Sequence, residues 1–211
     1  MEKDVIDLME ELLAKLSCDE PEITRILYRV QQTPNLRLLH RRDVIQWLLM
    51  DASFLKGNPR DLMAVEKAWG VELLRSIRPD STASNWGDVV GEEMVRELLL
   101  LEGQEATKPK QIKNYRLDLE TSTHMIEAKS QGIHMTGTAN EKIPGVPFKY
   151  AEVPRLYGKP VRVVMVGGAE ARALKDQLLA PTIPEKQTAL ADFAQKGFTF
   201  VGGSQILRAL K

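Results

Sequence analysis

The chain has 211 residues, 43% of them hydrophobic and 27% charged, with 29 Lys and Arg against 29 Asp and Glu. This composition excludes a disordered or fibrous polymer and describes a soluble globular protein with a substantial core, while the single cysteine, Cys18, excludes an internal disulfide and any cysteine-built metal site. The zero net charge sums two unlike halves: residues 1–105 carry 20 acids and 13 bases and residues 106–211 carry 9 acids and 16 bases, so a basic working surface is expected on an acidic scaffold.

The first eighty residues read as helical. Val5, Leu8, Met9, Leu12, Leu13 and Leu16 recur at spacings of three and four, the period of one helix face. Their segment alternates charged with apolar residues and so lacks the apolar stretch of a signal peptide, and no run approaches the ~20 apolar residues of a membrane span. With a lone cysteine, this leads to the expectation of a cytoplasmic protein with no membrane partner. Ile23, Ile26, Leu27 and Val30 follow Pro21, a residue suited to a helix start, and Pro34 limits that helix. Val44, Trp47 and Leu48, then Leu62, Val65, Trp69, Leu73 and Leu74, predict two more helices separated by Lys56-Gly57-Asn58-Pro59.

Turn formers crowd residues 79–87 and mark a boundary: residues 1–80 are expected to form a helical N-terminal region and residues 81–211 an α/β core. In the core, Val89, Val90, Met94, Val95, Leu98 and Leu99 predict a helix over 88–101. Tyr115, Leu117 and Leu119 alternate strictly with polar residues and predict a strand. Met125–Lys129 predicts a second strand, Val161–Val166 a buried one and Phe198–Val201 a shorter one. Gly167-Gly168 reads as a turn, and the Trp residues at 47, 69 and 86 read as core.

The second strand carries Ile126-Glu127-Ala128-Lys129. Residues two apart on a strand share a face, so Glu127 and Lys129 project together, and Asp118 on the preceding strand falls beside Glu127 across the hairpin. Two neighbouring carboxylates repel unless a cation separates them, and oxygen ligands suit Mg²⁺. A lysine beside such a pair holds or helps deprotonate a water, or neutralises charge growing on a phosphate. These are the parts of a phosphodiester hydrolase. The bland alternative is a salt bridge on a solvated strand face.

Leu117-Asp118 followed by Glu127-Ala128-Lys129 resembles the signature of the PD-(D/E)XK nucleases, most closely type II restriction endonucleases, with Leu117 where the signature is named for proline. The stretch from Thr136-Gly137-Thr138-Ala139-Asn140-Glu141-Lys142 through Lys149-Tyr150-Ala151-Glu152-Val153-Pro154 to Gly158-Lys159-Pro160 is also similar to a stretch of such enzymes. The resemblance covers about residues 87–170. It implies a restriction-endonuclease-like core, a mixed sheet flanked by helices, in the order helix, three antiparallel strands, helix and another strand, with the helical N-terminal region serving dimerisation or embracing the duplex. It implies Asp118, Glu127 and the Ala128 carbonyl as Mg²⁺ ligands, and Lys129 as the residue that assists the attacking water. An acid on the first core helix, Glu92 or Glu93, completes the site in this reading, with Glu92 favoured by its spacing to Val95 and Leu99; acids are favoured near a helix N-terminus regardless of function. It further implies a homodimer that cuts both strands of double-stranded DNA at a specific sequence and leaves 5′-phosphate and 3′-hydroxyl ends.

Residues 108–162 hold ten Lys or Arg against five acids, a balance suited to phosphate contacts. Lys108, Lys110, Lys113, Lys142, Lys149 and the loop with Thr136, Thr138 and Asn140 are the candidate DNA contacts, with Gln131 and His134 just past the catalytic strand. A structure-specific repair or recombination nuclease is the alternative with the same chemistry. A non-enzymatic helical interaction module is the alternative that discards it.

Overall fold

In the computed structural model, residues 20–82, 85–135 and 142–210 are described. The predicted helix from Val5 to Leu16 and the candidate contacts Thr136, Thr138 and Asn140 lie outside the described residues. Helix α1 (Glu20–Gln31) has Pro21 in its first turn, between Glu20 and Glu22, and Arg29 in its last, charges that complement the helix dipole. It buries Ile23, Ile26 and Val30, as the spacing predicts. Helices α2 (Arg42–Leu48) and α3 (Leu62–Ile77) follow, burying Val44, Trp47 and Leu48 and then Trp69, Leu73 and Leu74.

The long helix α4 (Trp86–Leu101) joins this group to the sheet. Its first residue, Trp86, meets Trp47 and Trp69 in a three-ring cluster with centroids 5.7, 5.8 and 5.9 Å apart. Two glycines make room for it. A Cβ on Gly70 would overlap the Trp86 ring, and one on Gly167, at φ +60°, would overlap Trp47. The buried indoles have polar partners: Trp47 Nε1 donates to Glu66 Oε1 at 2.6 Å and Trp69 Nε1 to Asp43 Oδ2 at 2.7 Å.

Four strands form one mixed sheet in the order β1 (Leu119–Glu120), β2 (Met125–Gln131), β3 (Val161–Gly167), β4 (Phe198–Gly202). The pair β1/β2 is antiparallel and the pairs β2/β3 and β3/β4 are parallel. Central strand β3 is buried at all positions but Arg162, the continuous apolar run expected of a parallel strand covered on both faces. Helix α4 and the C-terminal α9 (Gly203–Ala209) cover the face that carries Ile126 and Val164, in one core with α1 to α3. The other face carries Met125, Val163 and Met165 under α5 (Val146–Lys149), α6 (Val153–Tyr157) and α7 (Gly168–Lys175). Helix α8 (Pro184–Gln195) precedes β4. No helix among the described residues is long and apolar enough to cross a membrane.

The structure departs from the sequence reading in three places. The strand predicted from Tyr115 shortens to Leu119–Glu120, because the chain bends at Asp118: Tyr115 and Leu117 pack with the α5 face while Leu119 packs with the α4 face, which strict alternation would forbid. The antiparallel set implied by the resemblance has only β1 and β2 among the described residues. Strand β3 returns parallel to β2, since the connection over 132–160 holds α5 and α6 and is long enough for a crossover. Gly167-Gly168 is a direct junction where β3 runs into α7 against Trp47.

Helices α7 and α9 are clasped by Glu170, which is fully buried and accepts from Ser204 N at 3.1 Å and Ser204 Oγ at 2.5 Å. Burial pushes its carboxyl up to about 7 from 4.5, against the pull of Ser204 and Arg208. A carboxyl raised in the folded state contributes its full stability below the unfolded value and loses it as pH rises through the folded one. The Glu170 contribution to stability should therefore decline between pH 4.5 and about 7, and Glu170→Gln, whose amide oxygen still accepts from Ser204 N and whose amide N–H can donate to Ser204 Oγ, should remove that part of the pH dependence in urea titrations. Equal slopes for parent and variant would remove Glu170 as the cause.

Candidate active site

Strand β2 leaves the buried positions Met125, Ile126 and Glu127 and reaches more open ones from Ala128 onward. The β1/β2 register pairs Leu119 with Ile126, so Asp118 comes opposite Glu127 one step further along. The bend at Asp118 turns its carboxylate onto the strand, where Oδ2 accepts from the Ala128 N–H at 2.8 Å. That bond stands in place of the ladder a continued β1 would have made.

Glu127 is 3% exposed. Its Oε1 accepts from Lys129 Nζ at 2.5 Å and from the Tyr150 hydroxyl at 3.2 Å. Its Oε2 is buried without a hydrogen-bond partner. Such an atom is costly to leave dry, and it marks a place for a cation or a water. Burial and then repulsion from Asp118 raise the Glu127 carboxyl above its ordinary value, while Lys129 and Lys149 pull it down. The Tyr150 hydroxyl is raised well above its usual range by its own burial and by the Glu127 charge. Lys149 Nζ lies 4.5 Å from the Tyr150 ring centroid, and Tyr115 packs edge-on to that ring with centroids 6.2 Å apart. The structure thus brings together Asp118, Glu127 and Lys129, adds Tyr150, and sets Lys149 within electrostatic reach.

Other candidates sit elsewhere. Helix α4 covers the face of β2 opposite Glu127, and on it Glu92 pairs with Lys108 at 2.5 Å and Glu93 with Arg96 at 2.7 Å. No group of three His, Cys, Asp or Glu side chains among the described residues is placed to hold a metal ion. Lys110 and Lys142 are exposed, and exposed Lys113 bonds Glu152 at 3.1 Å. Gln131 turns inward and donates to the Met135 carbonyl at 2.8 Å. His134 donates its backbone N–H to Glu66 at 2.9 Å, and its Nε2 is buried without a partner. A cavity of about 310 Å³ opens beside the end of β2, bounded by Lys67, Trp86, Ser130 and Gln131. It contains neither Asp118 nor Glu127. The carboxylate pair, with its ammonium and its unbonded buried oxygen, is the better candidate for chemistry.

The residues that sequence patterning missed are Tyr150 and three buried glutamates. Tyr150 lies twenty-three positions from Glu127 and meets it only because the crossover folds α5 back over β2. Its neighbours Val146 and Pro147 are buried too, and that apolar pattern is the one local sign of its inward placement. Glu66, Glu97 and Glu170 are fully buried, and each accepts backbone N–H donors from a distant segment. Comparison of the chain with protein-family models, curated proteins and solved structures finds no match.

Proposed function

We propose that the chain is a Mg²⁺-dependent endonuclease of double-stranded DNA with a restriction-endonuclease-like core of the PD-(D/E)XK type. In this reading it cuts at a specific sequence, works as a homodimer and leaves 5′-phosphate and 3′-hydroxyl ends. One observation carries the proposal: the Asp118 carboxylate is held by the Ala128 N–H within electrostatic reach of Glu127, with the Lys129 ammonium on Glu127 and a buried Glu127 oxygen left unbonded. A salt bridge on a solvated strand face does not account for a carboxylate that is 3% exposed and half unsatisfied.

The donor set fits a hard divalent cation, since Asp118, Glu127 and the Ala128 carbonyl are all oxygen ligands and Glu127 Oε2 has no other partner. Bound there, Mg²⁺ would supply polarisation of a phosphoryl oxygen and a more acidic water. The chain's own groups do the rest. Lys129 opposes the burial that raises the Glu127 carboxyl and offers a hydrogen-bond donor to the attacking water or to charge developing on the phosphate. The Ala128 N–H orients Asp118, and the Tyr150 hydroxyl orients Glu127. Exposed Lys113, Lys142 and Lys149 supply phosphate contacts in a manner that weakens with salt. Two copies related by a twofold axis present two such sites to the two strands of a palindrome.

Digestion of plasmid DNA with and without Mg²⁺ tests the reading. Discrete fragments that DNA ligase rejoins are expected. Nicks confined to junctions or damaged sites would replace sequence specificity with structure specificity, and absence of cleavage with any divalent metal would overturn the proposal.

A further inference from the structure

Phe148 is 91% exposed, more than any other large apolar side chain described. It is held out by its surroundings: Val146 and Pro147 on the same turn are buried, and Tyr150 two residues on is 4% exposed. The turn is thus anchored from inside and presents one aromatic ring to solvent. An unburied phenylalanine leaves about 1.5–3 kcal/mol of hydrophobic stabilisation that contact with a ligand would recover.

Its location narrows the partner. Tyr150 carries the hydroxyl that reaches Glu127 at 3.2 Å, and Lys149 lies over the Tyr150 ring, so Phe148 belongs to the turn that leads into the carboxylate site. Lys149, next to it in the chain, and Lys142, six residues earlier, are exposed cations, and Arg155 on the next helix is 74% exposed, with Glu152 at 3.8 Å. The remaining large apolar residues in solvent among those described, Tyr28, Met63 and Ile183, are on α1, on α3 and before α8. Among the described residues, no other exposed large apolar side chain lies on α5 or α6. A stable protein interface buries about 800 Å² per partner, whereas one flat ring among cations matches a nucleic-acid base beside its phosphates.

We propose that Phe148 stacks on a DNA base unstacked next to the bond presented to Asp118, Glu127 and Lys129. This rests on the nuclease reading and deepens it, because the substrate becomes DNA that is locally opened at the cut. The test uses duplex DNA spanning a cut site mapped from the plasmid digest, with 2-aminopurine beside the scissile bond and Ca²⁺ in place of Mg²⁺ to hold the uncut complex. The parent should raise 2-aminopurine fluorescence on binding. Phe148→Ala and Phe148→Leu should lose that rise and bind about five- to hundredfold more weakly, with unfolding midpoints equal to the parent's, and Phe148→Trp should restore both signals. If the parent cuts DNA while Phe148→Ala binds and opens it equally well, the stacking role is wrong and the nuclease reading stands. If Phe148→Leu matches the parent, the contact is apolar and the stacking role is wrong. If Phe148→Ala dissociates a dimer with unchanged DNA affinity, the ring belongs to a protein interface. A parent that neither cuts nor binds DNA removes both readings.

Discussion

Lys129→Ala and Asp118→Asn are each expected to slow plasmid cleavage by about a hundredfold to ten-thousandfold, the range seen when a proton-transfer or charge-stabilising group is removed. The two act differently. Asp118→Asn keeps an acceptor for the Ala128 N–H and so keeps the local backbone bond while removing charge from the pair. Lys129→Ala leaves Glu127 buried without its cation, and the partner still bonded to Oε1 is the Tyr150 hydroxyl. Raised Mg²⁺ should recover part of the activity of Asp118→Asn, whose defect is a weakened ligand set, and little of Lys129→Ala, whose defect is a lost donor. Cutting at the parent's rate by either variant would remove the pair from the chemistry. Urea titrations of the same preparations separate that outcome from unfolding.

Trp47→Ala is expected to cost about 3–5 kcal/mol of stability, read as a lowered urea midpoint with an unchanged slope. Trp47 is fully buried and lies at the centre of the three-indole cluster. Its Nε1 also donates to Glu66, whose carboxylate accepts from the N–H groups of Ile133 and His134 just after β2. Removing the ring therefore opens a cavity and loosens the anchor at the end of the strand that carries Glu127 and Lys129. Since whole domains are stable by only about 5–15 kcal/mol, the variant should be near unfolding at physiological temperature. A loss below about 1 kcal/mol would place Trp47 outside the core.

Periodicity was enough for α1 to α4, β2, β3 and β4, because each has one apolar face, or two for β3, and solvent elsewhere. It failed at β1. There the apolar residues alternate as in a strand, yet the Asp118 carboxylate bonds a backbone amide and bends the chain, a local polar contact that an apolar pattern does not register. The pairing of Glu127 with Lys129 was legible because two-residue spacing fixes their face, and the approach of Asp118 followed from a short hairpin. Tyr150 was not, since its contact depends on a crossover whose path no local spacing encodes. The buried glutamates were hidden for the same reason: Glu97 accepts from the N–H groups of Arg37, Leu38 and Leu39, sixty residues away along the chain. The three-stranded antiparallel expectation came from resemblance alone, and the helices in the 132–160 connection are what made a parallel return possible.

If Asp118 and Glu127 form a divalent-cation site, Mn²⁺ reports on it directly. Titration of the protein with Mn²⁺, following the loss of the free-ion paramagnetic resonance signal in the presence of uncut duplex DNA, should show binding by the parent and its loss in Glu127→Gln. That variant keeps the size of the buried side chain while removing its charge. Equal Mn²⁺ binding by the two proteins would contradict the account, because the ion would then be held somewhere other than the carboxylate with the unbonded buried oxygen.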